Sequence, residues 1–80
     1  NEFNSLGYRL MGKGNMTAAI EIFKLNVEMF PQSANVYDSL AEAYINEGDK
    51  ELAIQNYQKS LELNPENDNA KEMLKKLVGK

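Results

Sequence analysis

Eighty residues, 42% hydrophobic and 26% charged, suffice for one small domain with a core of its own and do not fit a disordered chain. The net charge of −3 argues against nucleic acid and anionic membranes as partners, and no apolar run approaches the ~18 residues of a membrane span. Cysteine and histidine are both absent, which removes disulfides, thiolate and imidazole chemistry and nearly every zinc or haem site, so neither metal nor cofactor is expected.

In chain order, Phe3, Leu6, Gly7 and Leu10 stand at i, i+3, i+4 and i+7, the stripe of an amphipathic helix. Gly12-Lys13-Gly14-Asn15 breaks it. A glycine there permits a left-handed stop, and Asn15 offers a side-chain oxygen to cap the next helix. That second helix carries Ala19, Ile20, Phe23, Val27 and Phe30 and ends at Pro31, because a residue before proline avoids the helical region. Ser33 restarts the chain as the cap of a third helix striped by Tyr37, Leu40, Ala41 and Tyr44. Asn46-Glu47-Gly48-Asp49 repeats the break, a fourth helix bears Ala53, Ile54, Tyr57 and Leu61, and Pro65 ends it. Asn67 or Asp68 caps a fifth helix, expected from about Asn69 to Val78. Its narrow apolar stripe is Met73, Leu74, Leu77 and Val78, with Lys71, Glu72, Lys75, Lys76 and Lys80 around it.

The chain repeats itself at an offset of 34. Nine identities, among them Leu6 with Leu40, Gly14 with Gly48, Ala19 with Ala53 and Pro31 with Pro65, fall among the 35 pairs that match residues 1–35 with 35–69. Composition alone would give about two. Near-matches such as Phe3 with Tyr37, Gly7 with Ala41 and Phe23 with Tyr57 keep size and polarity. A period of this length means a stacked array of one helix–turn–helix unit. In the fifth helix Lys75 stands where Gly7 and Ala41 do. A lysine does not permit the close helix approach a small residue allows, so this helix packs by one face and ends the array.

The order aromatic, Leu, small, aromatic, Ala, aromatic, small, Pro resembles the tetratricopeptide repeat family. It is carried by Phe3, Leu6, Gly7, Leu10, Ala19, Phe23, Asn26 and Pro31, then by Tyr37, Leu40, Ala41, Tyr44, Ala53, Tyr57, Ser60 and Pro65. Leu10 replaces an aromatic and Asn26 a small residue at a helix crossing, where a buried amide needs a partner. The resemblance implies an all-α, right-handed solenoid of five antiparallel helices: repeat one over 1–33, repeat two over 34–67 and a capping helix over 68–80. A narrower similarity, carried by Ile20 to Pro31 and by Ser33 to Leu40, is to C-terminal repeat tails of bacterial serine hydrolases with β-lactamase-like or α/β-hydrolase domains.

In this family the first helices line a concave groove that takes an extended peptide or a helix. By that resemblance the groove residues are Asn4, Tyr8 and Met11, then Asp38, Glu42, Ile45 and Asn46, with Glu72 and Lys76 on the cap. Family members that clamp the acidic tails of chaperones use Lys, Arg and Asn there. Here Asp38, Glu42 and Glu72 face a single Lys76, so a carboxylate would be repelled and stripped of water without compensation. The expected ligand is a neutral or basic peptide or protein with apolar groups for Tyr8, Met11 and Ile45. Acidic side chains at exposed helical positions also serve simply as a solvated face.

Other signals are weaker. Asn64, Glu66 and Asp68 alternate like the start of a calcium loop, but Asn69 stands at the sixth position and Lys75 at the twelfth. Asn15-Met16-Thr17 forms a glycosylation sequon and is read as a helix cap. Ser5, Ser33, Ser39 and Ser60 have no histidine to activate them and no lysine three residues on, so the segment is expected not to be an enzyme. Residues 1–70 carry 5 basic and 11 acidic side chains and residues 71–80 carry 4 and 1, a basic end that suits the helix C-terminal dipole.

The chain does not open with Met, so Asn1 is expected to follow further protein, cytoplasmic or periplasmic. Two repeats are fewer than such arrays normally need, which leaves the first helix pair with an uncovered edge. The primary reading is a protein-interaction module with a peptide groove. The alternative is a structural or dimerisation tail packed on a serine-hydrolase domain of the same parent, with the uncovered first repeat as the surface for a homodimer.

Overall fold

The glycine breaks and the prolines cut the chain where their backbone chemistry requires. The structure is a computed structural model that describes residues 2–79. It is all-α, with five helices: α1 (Glu2–Gly12), α2 (Met16–Met29), α3 (Ala34–Glu47), α4 (Lys50–Leu63) and α5 (Asp68–Val78). Asn1 and Lys80, assigned to the first repeat and the cap, lie outside the described residues. Each helix packs on the next and α1 also touches α3, so the chain zigzags as a short helical-repeat solenoid. Its thinnest Cα extent, 16 Å, is that of two helix layers about 8–10 Å apart.

Both breaks work as the residue types require. Gly14 and Gly48 have φ of 82° and 94°, which a Cβ would strain. Asn15 accepts from the Ala18 N–H at 3.3 Å and Asp49 from the Leu52 N–H at 3.2 Å. Asn67 caps α5 through the Ala70 N–H at 3.2 Å, which resolves the open choice between Asn67 and Asp68 and starts the helix one residue earlier than the apolar pattern suggested. Ser33 sits at the N-cap of α3, but its side chain makes no capping bond. The sequence expectation was right in place and wrong in mechanism there.

Two aromatic residues 34 apart anchor the core. Phe23 is 0% and Tyr57 2% exposed. Phe23 packs with Ala19, Ile20, Leu40, Ala43, Tyr44 and Ala53. Tyr57 packs with Ala41 and Ala70 and with the half-buried Met73, Leu74 and Leu77 of α5. Close approach explains Gly7: a Cβ built there would lie 2.6 Å from Phe23 Cζ, well inside van der Waals contact. At the matching place in α5, Lys75 points to solvent, as expected of a helix that ends the stack.

The polar residues at the helix crossings are satisfied. Asn26 is buried, and no buried side-chain nitrogen or oxygen among the described residues lacks a partner. Ser60 donates to the Ala34 carbonyl at 3.0 Å and accepts from Asn67 Nδ2 at 2.8 Å, tying α4 to the starts of α3 and α5. Phe30 departs from expectation. It follows α2 as its C-cap and is 44% exposed rather than in the core, because the chain leaves the helical path there to reach Pro31.

Candidate functional site

On α1, Asn4, Tyr8 and Met11 follow the i, i+4, i+7 rule and share one side of the helix. Asp38, Glu42 and Ile45 do the same on α3, one repeat later. The stacking of α1 beside α3 brings the two rows together. Tyr8 Oη lies 2.9 Å from Glu42 Oε1 and 3.1 Å from Ser39 Oγ, and Ser39 Oγ donates to Asn4 Oδ1 at 2.9 Å. The phenol has one proton for two acceptors, and the shorter bond to the carboxylate is the stronger. Lower down, Asn46 Nδ2 donates to Met11 Sδ at 3.4 Å and to the Glu42 carbonyl at 3.2 Å.

Tyr8 connects this surface to the core. Its ring meets Phe23 edge-on, with centroids 5.2 Å apart and an interplanar angle of 69°, the arrangement favoured by the ring quadrupoles. Burial, and then the carboxylates of Glu42 and Asp38, push its pKa up to about 12 against an opposing pull from the Ser39 hydroxyl. A phenol is neutral and donating at physiological pH in any case, and this shift extends that range to more alkaline pH. Tyr57 is raised too, first by burial and then by Asp38 and Glu42. Tyr8 therefore has a double role: truncating it removes a core contact as well as a surface group.

The nine predicted residues do not form one uniform surface. Glu42 is exposed, and its carboxylate is held by Tyr8 but keeps open acceptor positions. Asp38 is half-buried, and its oxygens accept from Asn67 Nδ2 at 3.4 Å and from Asn69 Nδ2 at 3.3 and 3.4 Å. It joins α3 to the start of α5. Met11 and Ile45 are half-buried and pack on the core, so Tyr8, 37% exposed, is the large hydrophobic residue of this face that is most open to water. Glu72 and Lys76 are exposed on α5. Glu72 also borders an open hollow of about 460 Å³ with Asp68, Lys71 and Lys75, on the side of α5 where a further helix would stack. Lys71 and Asp68 are 3.9 Å apart there and both largely in water.

Sequence reasoning missed the amides of Asn67 and Asn69 as partners of Asp38. Their signal was their position at the start of α5, one helical layer from α3. It also missed Leu25 and Met29, exposed on α2 at 45% and 55%, because the dominant apolar stripe of that helix lies elsewhere. Among the described residues there is no group of three or more acidic side chains placed to hold a metal, and no helix is long and apolar enough to cross a membrane.

The fold and this face define a class: a short all-α helical-repeat solenoid. Compared with protein families, residues 34–67 match the model of the Tetratricopeptide repeat. That match supports the tetratricopeptide family, whose repeats are protein–protein interaction modules and typically non-catalytic. A comparison with curated proteins finds no match.

Proposed function

We propose that the chain is a protein-interaction module that binds a neutral or basic peptide or helix on the face shared by α1, α3 and α5, and that it is not a clamp for acidic tails. The observation that carries this reading is the exposed Glu42 carboxylate, fixed in place by the neutral Tyr8 phenol at 2.9 Å. A preorganised acceptor of this kind suits a lysine, an arginine or a backbone amide. Asp38 and Glu72 add negative charge on the same side, and Lys76 is the single cation among the nine groove residues.

The test is a titration with two short synthetic peptides of equal length, one apolar with arginine side chains and one ending in acidic residues and a free carboxylate. Glu42→Lys should weaken the arginine peptide at least about tenfold, a change of about 1.4 kcal/mol, and leave the melting temperature nearly unchanged. Tyr8→Phe, which keeps the ring against Phe23, should weaken it less. Salt-sensitive binding of the acidic peptide tighter than ~100 µM would overturn the reading.

A further inference from the structure

On the outside of their second helices the two repeats differ in polarity at two places. Ala18, Ile22, Leu25 and Met29 of α2 are spaced by four, three and four residues, the a/d seam of a coiled coil. Ile22 is half-buried, Leu25 is 45% and Met29 55% exposed, and Phe30 continues the apolar surface at the helix end. The matching residues of α4 are Leu52, Asn56, Lys59 and Leu63, followed by Asn64. There Asn56 turns back onto the Leu52 carbonyl at 2.8 Å and Lys59 lies 3.4 Å from Glu62. A repeat stacked on its neighbour therefore does not require an apolar residue at the places of Ile22 and Leu25.

The edge of α1 points the same way. In α3, Val36 is 5% and Ala43 0% exposed, on the helix that packs on α2. The residues that match them in α1 are Glu2 and Arg9, both exposed. Another repeat stacked on α1 in the same manner would bury two charges without evident partners, which is costly. The apolar surface of this end is displaced from the stacking position on α1 to the outer face of α2.

Charge selects the occupant. Each residue turns the helix by about 100°, so Glu21 and Glu28 flank the seam on its solvent side, and Lys24 lies a further step round. Both glutamates are exposed. The other flank, Ala19 and Asn26, is buried within the fold. Two copies pairing antiparallel through this seam would set Glu21 of one against Glu28 of the other, and like charges in that register repel.

We infer that the outer face of α2 is a docking seam for an amphipathic helix of a partner protein, apolar along one stripe and flanked by lysine or arginine. Ile22, Leu25 and Met29 receive the stripe, and Glu21 and Glu28 receive the cations. This surface is separate from the face proposed for peptide binding, so either can fail without the other.

The probes are a short amphipathic helix made of leucine and lysine and its leucine–glutamate counterpart, each titrated into the isotope-labelled chain while backbone amide shifts are followed. The lysine helix is expected to move amides of α2, and to bind at least about tenfold more weakly to Leu25→Lys, which installs the residue that α4 carries at that place. Read at the α2 amides, Glu21→Gln with Glu28→Gln should weaken it and flatten its salt dependence, whereas Glu42→Lys, which acts on the α1–α3 face, should leave the α2 shifts in place. The inference is overturned by shifts confined to α1 and α3, or by equal binding of the glutamate helix. It is also overturned by a concentration-dependent dimer whose α2 amides shift without any peptide, which would make a second copy the occupant.

Discussion

Gly7 shows how one missing atom sets the spacing of a helix pair. Alanine has the better helix propensity by about 1 kcal/mol, so propensity alone would make Gly7→Ala stabilising. Packing opposes this. The added Cβ would fall 2.6 Å from Phe23 Cζ, and Phe23, 0% exposed, has no room to swing aside. Overpacking of this kind costs about 1–3 kcal/mol and should prevail, all the more because the edge-on contact of Tyr8 depends on the same ring. Gly7→Ala is expected to lower the midpoint of a thermal melt followed by circular dichroism by several degrees. A rise would mean that the Phe23 ring can move and that α1 gains more from helicity than it loses in packing.

At the scale of the element, the caps separate residue type from actual bonding. Asn15 caps α2 through a side-chain bond at 3.3 Å, and Asn15→Ala should cost about 1 kcal/mol. Ser33 stands at the equivalent place before α3 without such a bond, and Ser33→Ala should stay within about 0.5 kcal/mol of the parent. Urea denaturation midpoints of the two variants decide this, and equal losses would mean that Ser33 caps in solution. The pair also marks what a sequence reading reaches. Residue type and position located the caps and glycine stops. Whether a hydroxyl bonds depends on its rotamer and on the backbone beside it, which spacing does not encode. The groove network was partly legible because its bonds join residues 31, 34 and 35 apart, close to the repeat length, so residues at like places in successive repeats become neighbours. The outer seam of α2 was not legible, because apolar periodicity reports the face with the strongest stripe and passes over a second, shorter one.

Stability across the whole molecule should follow the stacking order. In solenoids each unit is held mainly by its neighbours, so the ends have fewer partners than the middle. α3 buries Val36, Ser39, Leu40, Ala41, Ala43 and Tyr44, whereas the buried residues of α1 and α5 are Gly7 and Ala70. Native-state hydrogen exchange should therefore show the strongest protection in α3 and the weakest in α1 and α5, with α2 and α4 between them. The candidate groove crosses this expected gradient, since Tyr8 on the terminal α1 meets Glu42 on the central α3 at 2.9 Å. A peptide that contacts both favours only states in which α1 is docked, and binding energy is transferred to that docking by mass action. Saturation with the arginine peptide is expected to slow exchange in α1 much more than in α4. Exchange of α1 in step with α3 before any peptide is added would instead make the chain a single cooperative unit, in which the groove is held rigid without its ligand.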